Sequence, residues 1–321
     1  MVKEFVTLDE IKAARERIKK AARFTPIVDV PYPGGSGRLY LKAENLQPMG
    51  AFKIRGAYNM VSQLSPDQLK RGVITYSSGN HGQAVAMAAQ MMGAPAVIVM
   101  PTTAPAVKID GCKSFGAEVV FAGTTSLERQ ARAEQILKER GLTMVPPFDH
   151  TMIITGQGTV GLEILEQVPD VATVVIPVGG GGLLSGASTA IKQSKPSVRI
   201  VGVEPTGAPK MSKSLEAGHP ITLPSTKSIA GGLMNMRPGD ITFAHVKQFV
   251  DEVVTVSDED IAKAVGWLSR NARLVVEPSG AATTAAIMLG LGHIDPSKGP
   301  VVAIISGGNV APEAFAKYLT A

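Results

Sequence analysis

Lys53 is placed where a lysine can act as a nucleophile. It lies in the stretch Gly50–Ala57, between the aromatic Phe52 and the branched apolar Ile54. Burial lowers the pKa of an amine, and a neutral lysine can form a covalent bond with a carbonyl group. The alternative is an ordinary lysine at a helix start, with its alkyl chain on apolar surface and its ammonium group in water.

A polar turn follows the apolar run at residues 73–76. Its residues are Ser77, Ser78, Gly79, Asn80 and His81. Hydroxyl groups, an amide and backbone N–H groups at a strand-to-helix turn are suited to binding a polar ligand. His81 is a candidate base, but a histidine at a helix start is more often a structural hydrogen-bonding group, and we favour that interpretation.

Four consecutive glycines join a predicted strand to a predicted helix. They are Gly179, Gly180, Gly181 and Gly182. Without Cβ atoms, their backbone N–H groups can converge on an anion, and the helix N-terminus adds positive potential. A flexible turn is the weaker alternative, because ordering four glycines costs conformational entropy without a compensating contact. The pattern therefore predicts a phosphate site.

Two further stretches end with polar or acidic residues near predicted strands. Ser306 lies in Ile305–Asn309, which closes the last predicted strand, and Glu277 lies in the apolar stretch Val275–Gly280, directly before a proline that is typical of a helix start. A buried glutamate needs a partner or a function. Because open α/β sheets bind ligands at the carboxyl ends of their strands, we expect these stretches to contribute to one site.

The stretch Gly156–Gly161 matches the dinucleotide fingerprint G-x-G-x-x-G. The segment 146–150, with two prolines, precedes it instead of a strand, and no acidic residue that could hold a ribose ends the next strand. We therefore interpret these residues as glycines that let helices pack closely.

The elements that must position these residues form two series of strands separated by helices. The first has strands at 73–76, 96–100, 118–121 and 144–145, and the second at 173–177, 198–203, 253–256 and 301–305. Strands separated by helices indicate parallel βαβ units. We predict an α/β fold with two parallel-sheet lobes, in which a small mobile domain, 72–149, is inserted into a large domain made of 1–71 and 150–321.

Composition indicates a compact globular chain. The 321 residues are 45% hydrophobic and 18% charged, and no apolar run is long enough to span a membrane. The first residues lack the apolar core of a signal peptide, so we expect a cytoplasmic protein without membrane contacts. The net charge of +5 is most concentrated at 12–23, spaced like the solvated face of a helix, so we expect no nucleic-acid partner. Cys112, the only cysteine, is interpreted as a small buried apolar residue.

Taken together, the motifs resemble the fold-type II pyridoxal-phosphate enzymes, in the branch of serine/threonine dehydratases, serine racemases and threo-3-hydroxyaspartate ammonia-lyases. The resemblance covers about residues 8–315. It implies pyridoxal 5'-phosphate as cofactor, in the cleft between two lobes of a tryptophan-synthase-β-like fold, and we expect a homodimer. Ile54 and His81 favour this branch over the cysteine and threonine synthases, and Ala51 is similar to the hydroxyaspartate lyases.

The resemblance also implies roles for individual residues. Lys53 would carry the cofactor covalently, and the other cofactor-binding residues would be Phe52, Asn80, Gly179, Gly180, Gly181, Gly182, Leu183, Glu277 and Ser306. Substrate would be bound by Ser77, Ser78, Gly79, Asn80, His81 and Arg129. Ser78 would be a second catalytic residue, because in similar racemases it lies on the cofactor face opposite the lysine and can return a proton.

The chain departs from its metal-activated relatives after Glu204. Those relatives have an aspartate where this chain has Lys210, and they use a backbone carbonyl where this chain has Ala208. An ammonium group at Lys210 would repel a divalent cation and could pair with Glu204, so we predict no metal. The stretch Ala230–Gly232 also lacks an acidic residue that relatives have, which changes the contacts of its loop.

The predicted activity is that of an ammonia-lyase that converts a small amino-acid substrate, L-threonine or L-serine, to 2-oxobutanoate or pyruvate plus ammonia. Serine racemase and threo-3-hydroxyaspartate ammonia-lyase activities remain alternatives on the same scaffold. A nicotinamide dehydrogenase and a non-catalytic amino-acid sensor remain alternatives from other classes. Visible absorption at about 410 nm would distinguish the lysine-bound cofactor from both.

The role of Arg129 bears on the choice between threonine/serine ammonia-lyase and threo-3-hydroxyaspartate ammonia-lyase activity. Arg129 follows a predicted helix cap at Thr125, and its helix also carries Arg132 and Lys138, so one interpretation is a solvated surface residue. Counted back along the sequence from Gly141, Arg129 also matches an arginine that similar racemases and hydroxyaspartate lyases direct at the second carboxylate of a substrate. Both interpretations stay open on the sequence alone.

Overall fold

A six-stranded sheet carries most of the predicted site. The computed structural model describes residues 5–35, 37–77 and 79–320. In the order β1-β2-β10-β7-β8-β9, the strands of the large sheet are β1 (Ile27–Pro31), β2 (Arg38–Lys42), β10 (Val301–Ile304), β7 (Thr173–Pro177), β8 (Arg199–Pro205) and β9 (Glu252–Val256). All neighbours are parallel except β1 and β2.

A second sheet has four parallel strands. In the order β5-β4-β3-β6, they are β5 (Glu118–Phe121), β4 (Ala96–Met100), β3 (Val73–Tyr76) and β6 (Thr143–Met144). All four lie within residues 72–149, whereas the strands of the large sheet lie on either side of that range. The arrangement agrees with the predicted insertion, and the exact domain bounds stay a prediction.

Thirteen α-helices are found in the described part of the chain. They are α1 (Leu8–Ile18), α2 (Ile54–Val61), α3 (Pro66–Arg71), α4 (Asn80–Met91), α5 (Ala106–Ser114), α6 (Ser126–Arg140), α7 (Thr151–Gln167), α8 (Gly182–Ser194), α9 (Lys210–Ala217), α10 (Asp240–Phe249), α11 (Asp258–Ala272), α12 (Pro278–Met288) and α13 (Pro312–Leu319). Thr7 and Thr125 form capping boxes, the second at the predicted position, and Ser257 caps α11. Within the described ranges, none of these helices has the length and apolar character needed to cross a membrane.

The central strands of the large sheet are buried on both faces, as their continuous apolar sequences predict. In β7, Val174 and Ile176 face a core shared with α7 and α8, whereas Val175 faces a core shared with α11 and α12. β10 alternates in the same way. Helices therefore cover both faces, which is the usual arrangement of a parallel sheet.

Two strands at the edge of the large sheet lie outside the two predicted series. β1 was not predicted, and it pairs antiparallel with β2. The sequence at 39–45 is strand-like throughout, but β2 ends at Lys42, because the chain turns into a short 3-10 helix, Glu44–Leu46. The other predicted strands lie within one or two residues of their observed positions.

The fingerprint-like glycines lie inside α7, where they let helices approach closely, as predicted. A Cβ atom on Gly156 would lie 2.6 Å from the Cα of Gly56 in α2, and one on Gly158 would lie 2.9 Å from the carbonyl oxygen of Gly186 in α8. Both distances are too short for a real side chain. The backbones of α2 and α8 therefore both touch α7.

A buried network of four charged side chains holds α2 in place, and the sequence did not predict it. Arg55 donates from Nε to Glu44 (2.7 Å) and from Nη1 to Glu163 (2.6 Å), and the Lys42 ammonium also lies 2.6 Å from Glu163. The exposed fraction is zero for three of these residues and 4% for Glu163. We call these residues the buried ion network. Its member Arg55 is two residues after Lys53 in the sequence.

Candidate active site

Lys53 occupies the N-cap position of α2 without a side-chain capping hydrogen bond, and its side chain is half-buried rather than fully buried. Its Nζ donates a hydrogen bond to the carbonyl oxygen of Pro147 (2.7 Å) and lies 5.2 Å from the centre of the Phe52 ring. Burial lowers the pKa of the Lys53 amine to about 8, in the direction that the sequence predicts. A substantial fraction of this amine is therefore neutral near physiological pH.

The segment after β10 lies against the residues before Lys53. The Phe52 amide donates to the carbonyl oxygen of Ser306 (3.1 Å), and Ala51 forms a bridge with Gly307. Ser306 is buried. The predicted motif of β10 and the lysine stretch are thus brought together.

Asn80 and Glu277 meet between the two sheets. The Asn80 amide donates to Glu277 Oε1 (2.5 Å) and accepts from Asn309 (3.0 Å). Burial raises the pKa of Glu277, and Lys108 and the Asn80 amide oppose that effect. Glu277 also forms the N-cap of α12, with Pro278 in the first turn as predicted. The buried glutamate therefore has a partner.

Lys108, which sequence reasoning missed, reaches the same place from α5. Its Nζ lies 4.0 Å from Glu277 Oε2, and a Cβ atom on Gly79 would lie 2.8 Å from it. Nothing in the sequence around Lys108 distinguishes it from a surface lysine. A side chain at Gly79 would therefore have to displace the end of the Lys108 side chain.

The glycine loop occupies the end of β7 and the start of α8. Gly181 has φ +102°, a conformation that favours glycine, and no side chain of the described residues caps the helix. A Cβ atom on Gly180 would overlap the ring of Phe148. The first amides of α8, at Gly182 and Leu183, are thus helix N-terminal donors without a side-chain cap, which is suited to a phosphate group.

The segment Pro147–Asp149 connects the lysine to the glycine loop, and sequence reasoning treated it only as an interruption. Pro147 accepts from Lys53, Phe148 packs on Gly180, and the Asp149 carboxylate accepts three amide hydrogen bonds (3.0 to 3.1 Å) at the start of α10. Two adjacent prolines were the only sequence signal of an ordered turn.

His81 is buried at the start of α4, and its Nε2 is 3.0 Å from the carbonyl oxygen of Val145. Burial, together with the nearby Lys53 charge, lowers the pKa of His81 to about 3. The ring is therefore neutral and donates from Nε2, in agreement with a structural hydrogen-bonding role. Its Nδ1 is buried without a partner among the described residues.

The turn before His81 is described only in part. Ser77 accepts from the amide of Gly79 (3.1 Å), which shapes the turn. Ser78, the predicted second catalytic residue, lies outside the described residues.

Arg129 is buried, with an exposed fraction of 9%, so the interpretation as a solvated surface residue is wrong. Nη1 donates to the carbonyl oxygen of Thr124 (3.2 Å), and Nε has no partner within the described ranges. Arg129 also lies near Tyr76, at the end of β3. Its helix neighbours line a cavity of about 230 Å³, together with Tyr76, Phe148, Asn235 and Arg237, although Arg129 itself is not part of that lining.

The geometry fits a phosphorylated carbonyl cofactor. It combines an amine with a lowered pKa, uncapped helix N-terminal amides beside four glycines, and an amide held by a buried carboxylate. An α/β fold with these groups at the ends of its parallel strands defines an enzyme of the class that binds such a cofactor through a lysine.

Comparison with known proteins agrees with this class. Residues 18–307 match the family described as pyridoxal-phosphate dependent enzyme. L-threonine ammonia-lyase of Thermotoga maritima is 44% identical over 307 residues, which are 95% of this chain and 76% of that protein. Serine racemase of Schizosaccharomyces pombe is 37% identical over 98% of this chain and 97% of its own length. The crystal structure of a pyridoxal 5'-phosphate-dependent aspartate racemase superposes with a TM-score of 0.91, at 34% identity, over 98% of this chain and 99% of that chain.

The chain belongs to the pyridoxal-phosphate-dependent enzymes of fold type II. Pyridoxal phosphate is its cofactor, as predicted.

The divalent-cation position of the metal-activated relatives does not fit a metal in this chain. The Lys210 ammonium lies 3.0 Å from Glu204 Oε2, as the sequence predicts, and both side chains are fully buried. In the stretch Ala230–Gly232, the Gly232 amide donates to the hydroxyl of Ser279 (2.8 Å). The Lys210 ammonium occupies the space beside Glu204 that a cation would need.

Substituting Gly180 should weaken cofactor binding. In Gly180→Ala the new Cβ overlaps Phe148, so the ring and the loop must separate, at a cost of about 1–3 kcal/mol. Because the same loop is the predicted phosphate site, the cofactor dissociation constant should rise about 5- to 150-fold, measured by titrating apoprotein. Gly231→Ala is the matched control, because nothing lies within 4 Å of its Cβ position. Equal affinity in the two variants would mean that the loop is not the phosphate site.

Proposed function

We propose that this enzyme is an ammonia-lyase that acts on L-threonine and L-serine and releases 2-oxobutanoate or pyruvate with ammonia. The observation that carries the proposal is the Lys53 amine, whose lowered pKa suits it to remove a proton near neutral pH. The relatives named L-threonine ammonia-lyase support it.

When bound, the cofactor withdraws electrons from the substrate α-carbon, which makes the α-proton acidic. Lys53 would take that proton at Nζ and pass it to the β-hydroxyl of the substrate, which would leave as water. The resulting unsaturated amine takes up water and releases ammonia, so that the net products are a 2-oxo acid and ammonia. Lys53 is close to Phe52 and the carbonyl of Pro147, which orient the amine.

The other residues would bind and orient. The turn Ser77–His81 would receive the substrate carboxylate, with neutral His81 holding the turn to Val145. The glycine loop would hold the phosphate, and Asn80 would present its amide to the cofactor from its position on Glu277. Ser306, a neutral residue, would face the pyridine nitrogen; without a charged partner that nitrogen would stay unprotonated, which would favour elimination over transamination.

A second candidate activity is racemisation of serine, which the similarity to serine racemases supports. It requires a second group that returns the proton on the opposite face, and Ser78 is the candidate. One protein can catalyse both reactions.

A steady-state screen tests the proposal. L-serine, D-serine, L-threonine and 3-hydroxyaspartate are each supplied to the holoenzyme, and oxo-acid release is measured together with the chirality of the remaining serine. We expect oxo acid from L-threonine and L-serine. Racemised serine without oxo acid would favour the second candidate, and the absence of both would contradict the assignment to this branch.

We further propose that Arg129 selects dicarboxylic substrates such as 3-hydroxyaspartate. A buried guanidinium with an unpaired Nε has donors left for a second carboxylate. A structural relative is named an aspartate racemase, whose substrate has two carboxylates.

Removing this guanidinium should change specificity. In Arg129→Ala we expect kcat/KM for 3-hydroxyaspartate to fall by about 10- to 150-fold, equivalent to about 1.5–3 kcal/mol, while the value for threonine changes little. Arg132→Ala, on the same helix but only partly buried, is the control. Equal losses for both substrates, or no loss for either, would mean that Arg129 has a purely structural role.

Two other features remain part of the proposal. We expect a homodimer. Mass measurement in solution tests this. We also expect the protein in the cytoplasm.

A further inference from the structure

Lys210 is a fully buried lysine with four oxygen neighbours. Its Nζ lies 2.6 Å from the carbonyl oxygen of Val178, 3.0 Å from that of Leu233 and 3.3 Å from that of Ala208, in addition to the 3.0 Å contact with Glu204. All four neighbours are acceptors. Few lysines are buried to this extent, and a buried lysine needs a reason.

The contacts require the charged form of Lys210. Three of them are 3.0 Å or shorter, and only an ammonium group has three N–H donors. Lys210 is also the first residue of α9, where the helix dipole disfavours a positive charge. Glu204 offsets this, because it pairs with Lys210 and also accepts from the amides of Met211 (3.0 Å) and Ser212 (2.8 Å).

The oxygens around Lys210 belong to the frame of the cofactor loop. Val178 directly precedes Gly179, the first glycine of that loop. A Cβ atom on Gly179 would lie 2.8 Å from the Gly232 carbonyl oxygen and 2.9 Å from Asn235 Oδ1, so the loop and the segment 232–235 are in contact. Lys210 binds a carbonyl on each side of that contact, Val178 on one and Leu233 on the other.

We propose that the Lys210 ammonium is an internal cation that fixes the glycine loop in its cofactor-binding shape. Lys210 is a positioning residue, since it acts through the carbonyls of Val178 and Leu233 and not on the cofactor itself. Its ammonium group holds these oxygens together, as a bound cation would hold them. This inference rests on the proposed role of the glycine loop as the phosphate site.

The first test compares Lys210→Ala with Lys213→Ala. Lys213 lies on the same helix and is exposed, so it controls for loss of a lysine from α9. Apoprotein of each is titrated with pyridoxal phosphate, and thermal unfolding is recorded with and without cofactor. We expect the cofactor dissociation constant to rise about ten- to a hundredfold in Lys210→Ala only. Wild-type affinity in Lys210→Ala would overturn the proposal.

A second variant guards against a fold too damaged to test. Glu204→Gln/Lys210→Met replaces the buried ion pair by neutral groups of similar size, which is often tolerated. It leaves the carbonyls of Val178 and Leu233 without their cation, so cofactor affinity should still fall while the apoprotein keeps its thermal midpoint within a few degrees. Unchanged affinity in this variant would also overturn the proposal.

The third test restores the charge without the side chain. Lys210→Ala leaves a space lined by a carboxylate and three carbonyl oxygens, which are ligands for ammonium or for Ca²⁺. Adding millimolar ammonium chloride or calcium chloride should recover most of the lost cofactor affinity, whereas Glu204→Gln/Lys210→Met should not respond. A loss that neither cation reverses would mean that the alkyl chain, and not the charge, holds the loop.

These results separate this inference from the one on which it rests. If Gly180→Ala also leaves cofactor affinity unchanged, the glycine loop is not the phosphate site, and both inferences fail. If Gly180→Ala weakens binding and Lys210→Ala does not, only the role of Lys210 fails.

Discussion

Lys53→Ala should abolish oxo-acid release from every substrate while the protein remains folded. The change removes the amine that we propose binds the cofactor covalently and also takes the α-proton, so both proposed functions would be lost together. The side chain is only half-buried and makes one hydrogen bond, to the Pro147 carbonyl, so little stability depends on it. We expect turnover to fall at least about a thousandfold, with loss of absorption at about 410 nm.

Lys113→Ala is the control for this prediction, because Lys113 is exposed on α5 and has no place in the site. Circular dichroism and thermal unfolding show whether both variants are folded. Appreciable oxo-acid release by folded Lys53→Ala would remove Lys53 from the mechanism and leave the proposed chemistry without a base.

Arg55→Met should be the most destabilising of the substitutions considered. It leaves Glu44 and Glu163 buried with Lys42 as their remaining cation, and breaking a buried ion pair from one side costs about 3–5 kcal/mol.

The pKa of Glu44 is lowered, because Arg55, Lys42 and Thr25 together outweigh the raising effect of burial. Its stabilising contribution is therefore complete above the ordinary glutamate pKa of about 4.3 and is lost as the pH falls below it.

The chain offers a matched control in Arg140. Arg140 also donates from two nitrogens to a carboxylate, that of Glu118, but both side chains are about half exposed. Arg140→Met should cost at most about 1 kcal/mol. The midpoints of denaturant unfolding of both apoproteins at neutral pH measure the difference. Equal, small shifts would show that the buried ion network is not needed for stability.

The sequence allowed the strands and most of the site to be predicted, because both depend on local signals. Apolar runs of four or five residues between helical segments predicted the two parallel sheets, and the polar or glycine-rich turns followed those runs directly. Parallel topology then requires that the ends of neighbouring strands meet at one edge. The polar turn at Ser77–His81 and the glycine loop could be predicted in this way, whereas the roles of Lys53 and Asn80 were implied by the family resemblance.

The remainder depends on contacts between distant residues that carry no local signal. Glu163 lies on α7, 108 residues after its partner Arg55, and neither residue indicates in sequence that the other is near. Pro147 and Phe148 contact the site through a backbone carbonyl and a packed ring, which almost any sequence could supply. Burial of Arg129 likewise depends on how α6 packs on the sheet, so helix periodicity alone left its role open.

The helix packing through glycines has a consequence for the size of molecule that the site accepts. α2 begins at Lys53, the proposed attachment point, and α8 begins in the glycine loop, the proposed phosphate site. Both helices cross α7 by contact of one backbone with another, at Gly56 and Gly186. Side chains between helices can change rotamer and so alter a spacing, but touching backbones cannot move closer together. The crossings therefore set a lower limit on the spacing of the two helices, and this limit would prevent the site from closing around a molecule shorter than its cofactor.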